Sequence, residues 1–407
     1  MTTKAAASKT AIPYEIWVLV AGAFIIALGF GIIAPILPQF ARSFDVTVAA
    51  ASAVVSVFAL SRLLFAPSSG WAVDKLGSRR VYMLGLIIVA LTTGGIAFAQ
   101  EFWHILAMRL IGGVGSTMFT VSAMGFIVQH TPPQMRGRAS SAYASAFLIG
   151  NVLGPVLGAL LEPLGMRIPF LIYGAALLVV TVMVGFLLRP KQTKEQVKVV
   201  APAMMVSEVI HHPSYQSALL SGFVNGWVNF GVRVAILPLF AASVFHQGGA
   251  IAGFAMAAFA LGSALSIQVS GRLADSNGRK PMIVAGLLLN LLFTGVLGFA
   301  TTPVMVIGFS FLAGIGGGLL NPAQQATLAD LIGNDRSGGK VLANFQMAQD
   351  LGAITGPILV GMLADAYGYR IAFLACSLVA LVSALVWMFH GRETLPTRAR
   401  TLKKVQA

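Results

Sequence analysis

Twelve runs of mostly apolar residues, each about 20 long or longer, recur through this chain with short gaps between them. They fall at 16–38, 49–71, 81–99, 103–128, 140–161, 168–188, 217–241, 250–270, 281–300, 304–328, 341–364 and 370–389. A helix crosses the hydrocarbon core of a bilayer, about 30 Å thick, in about 20 residues. The runs are too long for barrel strands and lack their period-two alternation. The spacing therefore predicts an all-α membrane protein of twelve transmembrane helices. The first run is too long for a signal peptide and has no cleavage-like flank, so it counts as a span.

The charged residues support that reading. Only 10% of the chain is charged, against about 25% in soluble domains, and the mean hydropathy is +0.84. An ordinary cytosolic enzyme and a disordered chain are both excluded. The single cysteine, Cys376, excludes a disulfide scaffold and a Cys-rich zinc site. A net charge of +14 raises the question of nucleic acid, but the basic residues form no stripe. They sit in the gaps between spans. With the N-terminus in the cytoplasm, twenty-one of the 27 Lys and Arg fall on the inner side. Three, Arg42, Arg167 and Arg370, fall outside, and Arg62, Arg109 and Arg233 lie within spans. This bias predicts a multi-pass protein of the plasma (inner) membrane with both termini cytoplasmic.

Residues 190–213 are polar, charged and bounded by proline, unlike the short gaps elsewhere. They divide the chain into a first six-helix bundle, 1–189, a cytoplasmic linker, 190–213, and a second bundle, 214–407. An offset of about 200 residues lays one half on the other. GFGIIAPILPQF meets NFGVRVAILPLF, GWAVDKLGSRR meets GRLADSNGRKP, GNVLGPVLGA meets GAITGPILVG, and LGMRIPF meets YGYRIAF. Four matches in order predict two parallel repeats, with a substrate site between them near the membrane midplane.

These segments carry a resemblance. GRLADSNGRK after span eight resembles the signature loop of the major facilitator superfamily. GWAVDKLGSRR after span two is its looser copy, departing at Ala72, Val73 and Ser78. Arg109 with Gly113 and Gly115 resembles the span-four motif, and GNVLGPVLGA resembles the span-five motif of antiporters. Pro35 and Pro38 match the twelve-helix drug:proton antiporter branch. The resemblance implies two pseudo-symmetric six-helix bundles and a proton-coupled exporter of drugs or small amphipathic molecules, working by alternating access. It implies that Asp74 helps latch the cytoplasmic side, within a loop set of Gly70, Asp74, Gly77, Arg79 and Arg80, repeated as Gly271, Asp275, Gly278 and Arg279. It also implies that the motif of Gly150, Gly154, Pro155 and Gly158 faces the other half, and that Arg109 belongs to the charge machinery. A cluster that merely fixes orientation would look the same in the loops. Ordinary small-residue packing would look the same in span five.

Intramembrane charge is more telling. Of thirteen acids, twelve lie near span ends or in loops, and Asp350 alone is near mid-depth. A charge at a helix centre costs about 2.5–3.5 kcal/mol on insertion scales and is a functional candidate by default. Gln346 lies one turn before it and can hydrogen-bond it. Asp350 is read as the proton carrier, with a static ion pair and direct substrate binding as the alternatives. Burial and a nearby guanidinium pull oppositely on a carboxyl proton, so Arg233 or Arg109 would control it. Ser221, Asn225, Asn229 and Arg233 form one polar stripe on span seven, and span ten adds Asn321, Gln324 and Gln325. The candidate substrate cavity is therefore Arg62, Asn225, Asn229, Arg233, Asn321, Gln325 and Gln346. The amides would serve equally as interhelical glue. Three embedded cations against one acid favour an anionic or zwitterionic substrate. No His lies at mid-depth.

No HExxH, GxSxG or Walker motif occurs, so an enzyme and an ATP-driven pump are not expected. No metal or cofactor is expected, and the energy source is the proton gradient. The partners are a small-molecule substrate, protons and the lipid bilayer, with no nucleic acid, and the protein is expected as a monomer. The rival reading is a dedicated exporter of an anionic or zwitterionic metabolite or lipid-like molecule, and behind it a nutrient importer.

Overall fold

The computed structural model describes residues 13–131, 135–188, 204–333, 336 and 338–395. Among these, eleven helical stretches are long and apolar enough to cross a membrane. They are Tyr14–Arg42, Val48–Leu76, Ser78–Ile96, Phe102–Ile127, Arg138–Leu164, Ile168–Leu187, Pro213–Val244, Gly248–Asn277, Arg279–Phe299, Pro303–Ile332 and Gly339–Phe389. The last runs 51 residues but is broken at Gly368, whose φ of 82° no L side chain adopts without strain. It supplies spans eleven and twelve, so the twelve expected spans are all present. Of the linker, residues 190–203 lie outside the described residues, and Val206–Val209 form one helical turn.

Large apolar side chains point outward as lipid requires. Phe186 and Phe389 are more than four-fifths exposed, and Leu64, Leu91 and Val179 are exposed too. In water such a surface would drive association.

The repeat shows at the level of elements. Gly77 and Gly278 turn the chain between spans two and three and spans eight and nine, at φ 82° and 108°. Span one is not continuous. Its helix ends at Ile33 and resumes at Leu37, because Pro35 and Pro38 lack an N–H and crowd the preceding turn. Gln39 Nε2 donates to the freed Pro35 carbonyl at 2.7 Å. The matching stretch of span seven has only Pro238, and there the helix widens instead of breaking. Trp227–Ile236 is π-helical, a form common at functional sites.

Span one packs on spans five and six, and span four on two and three; span ten packs on eight and nine, and span seven on eleven. Spans two and eleven, and spans five and eight, meet across the two halves. Gly150, Gly154 and Gly158 turn to Ala27, Leu28 and Ile32 of span one. The expectation that this glycine face meets the other half is therefore corrected. Glycine lets span one approach at backbone distance, and it is the neighbouring Pro155 and Ala159 that touch Gly253 of span eight.

Candidate functional site

A cavity of about 620 Å³ lies between the halves. Spans one, two, four, five, seven and eleven supply most of its wall. Phe30, Phe58, Phe119, Phe147 and Phe230 make much of it aromatic, and Tyr143, Asn151 and Tyr173 add polar atoms. Of the expected residues, Arg62, Arg109, Asn225, Asn229, Gln346 and Asp350 line it. Gln349 lines it too, one helical position before Asp350.

Asp350 is half-buried, and Gln346 Nε2 donates to its Oδ1 at 3.1 Å. The cation facing it is Arg62, from span two of the other half, near enough for each charge to act on the other. The two do not close into an ion pair within 4.0 Å. Arg62 lines the cavity, and its guanidinium makes no hydrogen bond with a described residue.

Arg109 and Arg233 occupy a different place from the one expected. Each is buried in its own half with its guanidinium over a phenylalanine ring, Phe58 at 3.8 Å and Phe259 at 3.5 Å. Those two phenylalanines sit at repeat-related positions on spans two and eight. A ring face in a desolvated bundle holds a cation well. Arg109 Nε also donates to the Val54 carbonyl at 3.2 Å. Arg233 donates to Asn229 Oδ1 at 3.0 Å and to Asn290 Oδ1 at 2.8 Å. Neither is the cation nearest Asp350, and Arg233 is not a cavity residue.

Arg233, Asn229 and Asn225 of the span-seven stripe form one hydrogen-bonded chain, and Ser221 belongs to a separate set. Asn229 donates to Asn225 at 2.8 Å, and Asn225 donates to Asn321 at 3.0 Å. Ser221 Oγ accepts from Gln324 Nε2 at 2.5 Å and from Trp387 Nε1 at 3.0 Å. Each amide passes on the polarisation that starts at Arg233. Asn321 serves as a link in this chain. Gln325 is exposed and does not line the cavity. It lies one residue past the buried Gln324, on a different face of the helix.

The two ends of the molecule differ. The basic face carries the signature loops. There Asp74 is exposed and makes no hydrogen bond or ion pair with a described residue. Arg79 donates to the Gly185 carbonyl, and Arg80 is exposed. No described residue lies within contact of an added side-chain atom at Gly70 or Gly271. Asp275, by contrast, pairs with Arg279, whose Nε reaches Asp330 Oδ2 at 3.2 Å. Glu393 accepts from the Arg279 and Lys280 N–H groups at 2.8 and 3.1 Å.

The far face is closed by two carboxylates, each crossing between the halves. Asp365 of span eleven accepts from the Val48 and Ala49 N–H groups, at 2.9 and 2.8 Å, where span two begins. Glu162, just past span five, accepts from Gly249 and Ala250 N–H, at 3.1 and 2.8 Å, where span eight begins. Donors and acceptors are both related by the repeat offset of about 200 residues. Neither acid drew attention in the sequence, since both are loop-end carboxylates.

A family model described as Major Facilitator Superfamily matches residues 19–224 and 218–407. The chain is 29% identical over 381 residues to a multi-drug resistance efflux pump PmrA homolog of Lactococcus lactis, covering 90% of this chain and 92% of that one. It is 27% identical to multidrug resistance protein 2 of Bacillus subtilis, over 91% and 94% of the two chains. Among solved structures, a bacterial homolog of the human lysosomal transporter Spinster, inward-facing and occupied, superposes with a TM-score of 0.80 at 17% identity. That match covers 96% of this chain and 99% of the other. The D323A mutant of the nucleoside transporter NupG gives 0.74 at 15% identity, over 93% and 100%.

Proposed function

Because the chain belongs to the Major Facilitator Superfamily, and so is a multi-pass membrane transporter, we propose that it exports amphipathic small molecules in exchange for protons. The observation that carries this is the aromatic cavity between the halves, with Asp350 on its wall. The relative named as a multi-drug resistance efflux pump homolog supports the export direction. The basic face, with Lys75, Arg79, Arg80, Arg272 and Lys280, is cytoplasmic by its charge, in an inner membrane with both termini inside. Carboxylate caps across the far face, together with an Asp74 that has no partner among the described residues on the basic face, support a state closed to the outside. Rocking the halves would open the far face and engage the Asp74 loop. The protein works as a monomer, since one chain encloses the whole cavity. The proton supplies the energy, and Asp350 is the group that takes it up and releases it.

The test is uptake of a fluorescent amphipathic dye into everted membrane vesicles. Accumulation should follow an imposed pH gradient and collapse when a protonophore dissipates it. Uphill uptake with the gradient gone and no Na⁺ present would overturn proton coupling.

A further inference from the structure

We propose that the cavity holds its cargo between two opposite charges, Arg62 on one half and Asp350 on the other, and so prefers zwitterions with an aromatic body. The proposal rests on the transporter reading and names the substrate class of the same site.

Four observations carry it. Both side chains line the cavity, and they come from different halves. Each acts electrostatically on the other, yet they stay apart by more than 4.0 Å. Arg62 has no hydrogen-bond acceptor among the described residues, and of the Asp350 oxygens only Oδ1 has a donor. The third charged group on the wall, Arg109, is already held by the Val54 carbonyl and the Phe58 ring.

The consequence follows by comparing cargoes. Buried charges are stable only when paired and hydrogen-bonded. A plain organic cation would pair with Asp350 but bring its charge near Arg62 and leave that guanidinium unmatched. A plain anion would satisfy Arg62 and leave the acid without a partner. A neutral molecule would displace water from both and replace none of its bonds. A zwitterion supplies a carboxylate for the guanidinium and an ammonium for the carboxylate, while its aromatic body meets Phe30, Phe119, Phe147 and Phe230. The cavity of about 620 Å³ is in the usual range for a drug-sized ligand. Because the two poles sit on different halves, such a cargo also bridges them.

The experiment measures binding to purified protein in nanodiscs by calorimetry, with four probes on one scaffold. These are 2-naphthylalanine (zwitterion), its methyl ester (cation), its N-acetyl derivative (anion) and the N-acetyl methyl ester (neutral). The zwitterion should bind about tenfold or more tightly than each of the others, the scale expected when a buried charge loses its partner. Arg62→Met should erase its advantage over the cation, and Asp350→Asn its advantage over the anion. Arg62→Lys, which keeps the charge, should retain the preference and guards against a variant that merely misfolds. Equal binding of cation and zwitterion by the parent would overturn the proposal. So would an Arg62→Met variant that weakens all four probes alike. Counterflow of labelled 2-naphthylalanine in proteoliposomes reads the transporter reading separately. A zwitterion preference without counterflow would sink transport and keep the clamp; dye export without the preference would do the reverse.

Discussion

Asp350 lines the cavity with one oxygen bonded to Gln346 and the other without a donor among the described residues. Asp350→Asn keeps the shape and the Gln346 contact but removes the titrating group. It should abolish pH-driven accumulation in vesicles while exchange down a substrate gradient continues. Full uphill transport by this variant would place the carrier elsewhere. Arg233 calls for a different measurement. Arg233→Ala leaves the buried Asn290 acceptor unpaired, at about 1–3 kcal/mol, while Asn229 on the cavity wall can turn to solvent, so Tm in detergent should fall. An unchanged Tm would mean that the amide chain reorganises freely. The sequence singled out Asp350 by elimination, because every other acid lies near a span end. It did not show which arginine faces that acid. Helical phase tells which side of a helix a residue lies on, and not which neighbour that side meets. The Phe58 and Phe259 rings that draw Arg109 and Arg233 into their own bundles are distant in sequence and leave no local signal.

Among the elements, the clearest device is the pair of carboxylate caps. The first N–H groups of a helix have no partner within it, and an acid placed there also meets the positive end of the helix dipole. Glu162 and Asp365 supply this to spans eight and two from the opposite half, so the caps exist only while the far face is shut. Replacing a cap by Ala costs about 0.5–2 kcal/mol. The double variant Glu162→Ala, Asp365→Ala should therefore open the far face, read as longer spin-label distances between spans two and eleven at that end. Unchanged distances would show that apolar packing, such as Gly361 on Ala49, closes the gate alone. A smaller element gives a pH test. Glu208 accepts from the Met205 N–H at 3.0 Å and pairs with Arg336, and both hold its carboxyl below the ordinary value. The tether is fully present above the ordinary glutamate pKa and is lost only as pH falls through the lowered one. Protection of the Met205 amide against exchange, taken relative to its intrinsic rate at each pH, should fall below the usual glutamate range and stay flat above it. The break in span one was foreshadowed by Pro35 and Pro38. The π-helix in span seven was not, since its residues keep a helical pattern and only the hydrogen-bond register changes.

At the scale of the whole molecule the two repeats are alike in fold and unlike in the ties their basic-face loops make. Their loops on the basic face share a sequence pattern, and the pattern alone gives Asp74 and Asp275 the same role. The structure separates them. Asp275 is tied to Arg279, which also holds Asp330, while Glu393 caps the start of span nine. Asp330 also accepts from Thr394 Oγ1 at 3.0 Å, and the Arg392 backbone is bonded on both sides to Ser214 Oγ. This end of the second half is stitched to its own C-terminal segment, and its described carboxylates Asp275, Asp330 and Glu393 all have partners there. Asp74 has no such ties to the described residues. On the proposed rocking of the halves, the first-half loop would gain a partner as the basic face closes, and a contact made in one state alone shifts the balance between states. Asp74→Asn should therefore bias the protein toward the conformation described here, by the 1–3 kcal/mol typical of such couplings, or about 5–150-fold in population. Asp275→Asn should lower Tm and leave that balance near the parent's. Distance distributions across the basic face, measured with a cargo bound to populate the alternate state, distinguish the two. Equal shifts from both variants would mean that the second-half network also opens during the cycle, and the asymmetry would then belong to this one state.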